Sequence, residues 1–171
     1  MVLSFMENMK RRLVIGCGNL FRRDDGLGIR AIEWLRGESL PVAVELFDAG
    51  TSGLEVIFQA RDCRELIIID ACRSGSEPGS VFRIPGSEVA LRHTPALTLH
   101  DFRWDHALYA GSRLFGEEFP QSVTVFLVEG SDFGFGDGLS AEVTRALPKM
   151  VEQVLELLRE SRETDDGRLS Q

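Results

Sequence analysis

The order of apolar runs, glycine-rich breaks and helical spacings predicts an α/β fold, a three-layer α/β/α sandwich built on a mostly parallel five-stranded sheet. Three observations carry that expectation. Short strand-like runs alternate with helix-like segments along the chain. Leu13-Val-Ile15 and Leu66-Ile-Ile-Ile69 are continuously aliphatic, as strands covered on both faces must be. The first run breaks into glycines and the second ends on Asp70, so chemistry-bearing residues fall at carboxyl ends of strands. The most aliphatic strand is third in sequence and belongs at the centre. With right-handed crossovers, strand one then lies beside it and strand two beyond strand one, an order beginning 2-1-3.

The elements follow in turn. Leu13 opens the first strand, which gives way to a loop from Gly16 to Gly28, and Ile29, Ile32 and Trp34-Leu35 recur at helical spacing until Gly37. Pro41 leads into Val42-Ala-Val-Glu-Leu-Phe47, a second strand whose exit loop is Asp48-Ala-Gly-Thr-Ser-Gly53. Leu54 to Ala60 is a short helix. Val81-Phe-Arg-Ile84, between turn formers and Pro85-Gly86, reads as a short strand at an edge or in antiparallel pairing. From Ala96 a helical pattern runs through Leu99, Phe102, Ala107 and Ala110 and closes at Gly111 to Gly116. Val123 to Val128 is the last strand, and Gly134, Gly136 and Gly138 make the next loop flexible enough to clamp an extended peptide. The final helix spans Ala141 to about Glu160, with Pro148 marking a kink or a break. Residues 1–10 read as a loose extension and 161–171 as a disordered polar tail, leaving one domain over the 171 residues.

Composition narrows the function. A net charge of -8 lacks the basic surface that phosphate neutralisation requires, so nucleic acid is not expected as a partner. Cys17, Cys63 and Cys72 have neither CxxC spacing nor an even count, which disfavours a zinc ribbon or a disulfide framework and points to a reducing cytoplasm. No signal peptide and no run of about 18 apolar residues is encoded, so no membrane span is expected.

Among motifs, a dinucleotide loop fails because the third glycine of GxGxxG would be Phe21, and no Lys-Ser/Thr pair follows to make a phosphate-binding loop. No nucleotide is expected. Asp24 and Asp25 are like charges side by side that need a cation or donors to stay ionised, although an acidic turn at a helix N-terminus would also account for them. Asp70 belongs at the rim of the sheet next to their loop. Histidine is scarce, and of His93, His100 and His106 the one at 100 starts a helix above the same edge. Two carboxylates and an imidazole would make a site for a borderline cation such as nickel or zinc, with positions open for another ligand. Cys17 and Cys72 read as small buried fillers. Asp48-Ala-Gly-Thr-Ser-Gly53 has an aspartic-peptidase-like D-x-G-T sequence without a second copy, and Ser52 lacks a nucleophile elbow, so this loop reads as a structural pocket wall with Thr51.

Four motifs together resemble the nickel-iron hydrogenase maturation peptidases, which trim the carboxyl-terminal extension from the hydrogenase large-subunit precursor. They are Gly16-Cys-Gly-Asn-Leu-Phe-Arg-Arg-Asp-Asp25-Gly-Leu-Gly28, Asp48-Ala-Gly-Thr-Ser-Gly53, Ile67-Ile-Ile-Asp70-Ala71, and His100 in Leu97-Thr-Leu-His-Asp-Phe102. The resemblance implies that Asp25, Asp70 and His100 contact nickel already inserted in the precursor, the metal thus arriving with the substrate. It leaves open how the bond is broken, with Asp25 and Asp70 as candidate catalytic residues and Asp24 and Asn19 orienting the loop. After the histidine, members have a small residue and then leucine, whereas this chain has Arg103 and Trp104. The same ligand set would also serve a nickel-binding chaperone or checkpoint protein that cuts nothing, and the bland reading is an α/β domain whose acids merely cap helices.

Overall fold

A computed structural model of the chain describes residues 11–90 and 103–168, with side chains described up to residue 89 in the first stretch and 160 in the second. The strands are β1 (Arg12–Cys17), β2 (Val44–Gly50), β3 (Glu65–Cys72), β4 (Val81–Pro85) and β5 (Ser122–Glu129). The helices are α1 (Leu27–Leu35), α2 (Gly53–Ala60), α3 (Gly86–Ala90), α4 (Trp104–Phe115) and α5 (Ala141–Arg168). They form one sheet of order β2-β1-β3-β5-β4, parallel throughout except for the antiparallel pair β4 and β5. The aliphatic β3 is central, and the order begins 2-1-3 as its hydrophobicity requires.

The pleat explains the layers. On one face Val14, Ile67, Ile69, Phe126 and Val128 pack against Leu27, Ile32 and Leu35 of α1 and against Val143, Met150, Val154 and Leu158 of α5. On the other, Leu13, Ile15, Leu66, Ile68 and Val125 meet Val56 and Ile57 of α2 and Trp104, Ala107 and Leu108 of α4. Successive residues of β1 and β3 therefore serve opposite cores, which is why their sequences do not alternate with polar residues. Each such side chain contributes about 1.5–3 kcal/mol by leaving water.

Two boundaries differ from the sequence pattern. β2 begins at Val44, leaving Val42 largely exposed, because its pairing with β1 starts at Arg12 opposite Val44. α5 passes through Pro148 unbroken and continues to Arg168, past the expected end near Glu160. Packing of its apolar face outweighs the lost backbone bond at proline, and a helix already formed extends cheaply through polar residues. The antiparallel β4 lies at the sheet edge and ends on Pro85, a place where a strand tolerates proline.

Between β1 and β3 the chain reverses its winding direction, from β2 on one side to β5 on the other. A crevice opens outside the carboxyl ends of these strands. Gly16 pairs with Ile69 on one side and Asp48 on the other, so Cys17, Gly50 and Asp70 lie at one level near the carboxyl ends of their strands.

Candidate active site

The crevice is shaped by glycines. A Cβ on Gly28 would strike the carbonyl oxygens of Cys17 and Ile69, so only glycine lets the first turn of α1 sit directly on the ends of β1 and β3. Gly18 has φ +129°, and a Cβ there would run into the Asp25 carbonyl oxygen while lying 3.7 Å from Asp70 Oδ1. The turn between them is held by Asn19, whose Oδ1 accepts from Phe21 N (2.9 Å) and whose N donates to Asp25 O (3.1 Å).

The two adjacent acids have different tasks. Asp24 is fully buried and points away from the crevice, where Oδ2 accepts from the backbone N–H of Ser131 (2.8 Å) and Asp132 (2.9 Å) and Oδ1 from Ser140 N (2.7 Å). Burial alone would raise its pKa, but the donors at Asp132, Ser140 and Ser131 outweigh it and hold the carboxyl below its ordinary value. Backbone donors thus hold Asp24 ionised beside Asp25. They also tie down the glycine-rich loop: Arg23 N donates to Gly136 O, Gly136 N to Phe21 O, and the Arg22 guanidinium to Phe133 O. The loop is a fastened support rather than a free clamp. Asp24→Ala would orphan three buried donors at about 1–3 kcal/mol each, with an expected loss of ~3–4 kcal/mol in urea unfolding. Because the folded pKa is depressed, the Asp24 contribution is present above about pH 4 and lost as pH falls below it, so the difference between wild type and variant shrinks in acid.

Asp25 is half-buried and lines the crevice, its carboxylate taking no hydrogen bond from the other described residues. Asp70 faces it from the end of β3. Cys17, Gly18, Arg22, Thr51, Arg103 and Trp104 help complete a cleft of about 370 Å³. Asp70 is 1% exposed: Oδ1 accepts from Ala71 N (2.8 Å), and Oδ2 from Trp104 Nε1 (2.6 Å) and Arg103 Nη2 (3.0 Å). Burial pushes its pKa up to about 6, against the lowering effects of Arg103, Trp104 and Ala71, with Asp25 adding a smaller upward push. His100, the third expected ligand, lies outside the described residues. Among the described residues no group of three His, Cys, Asp or Glu is placed to hold a metal; Asp25 and Asp70 are the two carboxylates that line the cleft.

A family model described as hydrogenase maturation protease matches residues 29–157. The hydrogenase 2 maturation protease of Escherichia coli K12 is 33% identical over 153 residues, 88% of this chain and 92% of that protein. The chain belongs to the hydrogenase maturation protease family. The solved structure of the E. coli hydrogenase maturating endopeptidase HybD superposes with a TM-score of 0.76 at 32% identity, covering 88% of this chain and 93% of that one. A hydrogenase 2 maturation peptidase from a Thaumarchaeota archaeon gives 0.67 at 30% identity, over 87% and 98%. The chain is thus a peptide-bond hydrolase, which sets aside a chaperone that cuts nothing.

Within this endopeptidase, the cleft offers no prepared serine or cysteine nucleophile among the described residues. Cys17 is buried beside Asp70, and burial followed by that charge pushes its thiol well above the ordinary value, so it stays protonated. Ser52 caps α2, its Oγ accepting from Glu55 N at 3.2 Å. The Asp48 loop is a wall: its carboxylate accepts from Gly50 N (2.8 Å), and Gly50 to Gly53 border the cleft. Sequence reasoning missed the role of Arg103 and Trp104. Their departure from the family pattern marked the positions, but only the fold carries them to Asp70. No described helix is long and apolar enough to cross a membrane.

Proposed function

We propose that this protease removes the carboxyl-terminal extension of a nickel-iron hydrogenase large-subunit precursor after nickel insertion, recognising the precursor's nickel through Asp25, Asp70 and His100. The observation that carries this reading is the convergence of Asp25 and Asp70 on one cleft, with no hydrogen bond to the Asp25 carboxylate from the other described residues and a buried, preoriented Asp70 opposite it. Two hard oxygen donors with an imidazole suit a borderline cation whose remaining positions are filled by its own protein. Docking of that ion would bring the adjoining peptide bond into the cleft, where either polarisation of its carbonyl or activation of a water promotes hydrolysis. The reaction would take place in the cytoplasm, in keeping with three free cysteines.

The test is to incubate the protease with nickel-loaded and nickel-free precursor and follow the mass of the large subunit. Loss of a terminal peptide from the loaded form alone is expected. An intact loaded subunit overturns the substrate assignment, and equal cleavage of both forms overturns nickel recognition.

A further inference from the structure

Arg103 stands at the start of α4 and reaches into the cleft over Asp70. The two members of this ion pair are unequal: the Asp70 side chain is 2% exposed and that of Arg103 60%. Asp70 is fixed from within the protein by Ala71 N and Trp104 Nε1, two neutral donors on rigid elements. Arg103 approaches from the solvent side on a long side chain; partial burial disfavours its charge, and Asp70, Asp105 and Asp25 together outweigh that. Arg103 and both cleft carboxylates line the two adjoining cavities at this edge of the sheet. A positive charge therefore already stands over the carboxylates that a divalent ion would need.

We propose that Arg103 is a specificity-determining residue, a displaceable cation that keeps free divalent ions out of the Asp25–Asp70 cleft and yields only to nickel presented by a docked precursor. The proposal rests on the nickel-recognition reading above. A hydrated ion arriving alone must expel the guanidinium from Asp70 and lose water while a like charge stands close by, which weakens its binding. An ion carried by a docked protein arrives at a high effective concentration, and the contacts of the whole interface offset the displacement. Arg103 can swing into solvent because most of its side chain is already there. Trp104 and Ala71 then keep Asp70 in place, so the site loses its plug without losing its shape.

The experiment is calorimetric titration of nickel chloride, at neutral pH, into the wild type, Arg103→Gln, Arg103→Lys and the double variant Arg103→Gln/Asp70→Asn. Arg103→Gln is expected to bind nickel at least about tenfold tighter than wild type, Arg103→Lys to stay near wild type because the charge remains, and the double variant to lose the gain. If Arg103 only positioned Asp70, its removal would leave affinity unchanged or weaker, and that result overturns the proposal. So does tighter binding that survives the loss of Asp70. Should Arg103→Gln fail to fold in a circular dichroism melt, Arg103→Met, which keeps the aliphatic stem, takes its place with the same expected gain. A failure of the underlying reading shows elsewhere: Asp70→Asn would then process loaded precursor at the wild-type rate. Unchanged affinity in Arg103→Gln alongside lost processing in Asp70→Asn overturns the role of Arg103 alone.

Discussion

Asp25→Asn and Asp70→Asn are each expected to reduce release of the terminal peptide from loaded precursor by at least ~100-fold while the protein stays folded. Each change keeps the size of the side chain and removes the negative charge that would meet the metal. For Asp70 the structural consequence depends on pH. Its two oxygens face donors on both sides, so an amide must turn its NH2 toward either Ala71 N or the Trp104 and Arg103 donors, which destabilises the variant. Ionising the buried wild-type carboxyl also costs stability, because its folded pKa is raised to about 6. A raised acid pKa means that the folded state holds the proton more tightly. Wild-type stability from this group is therefore fully present below about pH 4 and lost as pH rises to about 6 and beyond, by about 3 kcal/mol. The melting temperature of Asp70→Asn should lie below wild type at pH 4 and draw close to it at pH 7.5. A gap that does not move with pH removes the buried-carboxylate account, and wild-type processing by either variant removes the metal role.

Gly28→Ala is expected to cost at least ~3 kcal/mol, or roughly 10 °C in melting temperature, and to abolish processing with it. The added methyl would enter the space of the Cys17 and Ile69 carbonyl oxygens, which are backbone atoms of adjacent strands and cannot turn aside. Relief requires α1 to lift from the sheet. That movement displaces the Asp25 turn, whose carbonyl sits against Gly18, and opens the contact between Leu27, Ile32 and the sheet. Gly37→Ala is the control, since its Cβ would meet only the Trp34 carbonyl oxygen at 3.4 Å. Paired circular dichroism melts and mass assays decide the matter: a Gly28→Ala protein within ~1 kcal/mol of wild type would show that the helix–sheet contact is not tight.

Much of this architecture is legible in the chain because it is written in local, periodic terms. Continuous aliphatic runs mark β1 and β3 as doubly covered strands, and the position of β3 as the most apolar element dictates the order beginning 2-1-3. Carboxyl-end placement brings Asp25 and Asp70 to one edge. Those inferences need only spacing and hydrophobicity. Tertiary structure alone decides how neighbouring acids divide their work. Asp24 and Asp25 are indistinguishable as letters, yet Asp24 accepts from backbone donors more than a hundred residues away while Asp25 lines the cleft. The same holds for Arg103 and Trp104, whose contact with Asp70 spans more than thirty residues. Hydrogen bonds across such separations leave no periodic trace, because any donor brought close by the fold can make them. The sequence by itself determined where two carboxylates would meet, and the folded chain decided which of the paired acids lines the cleft and which arginine pairs with Asp70.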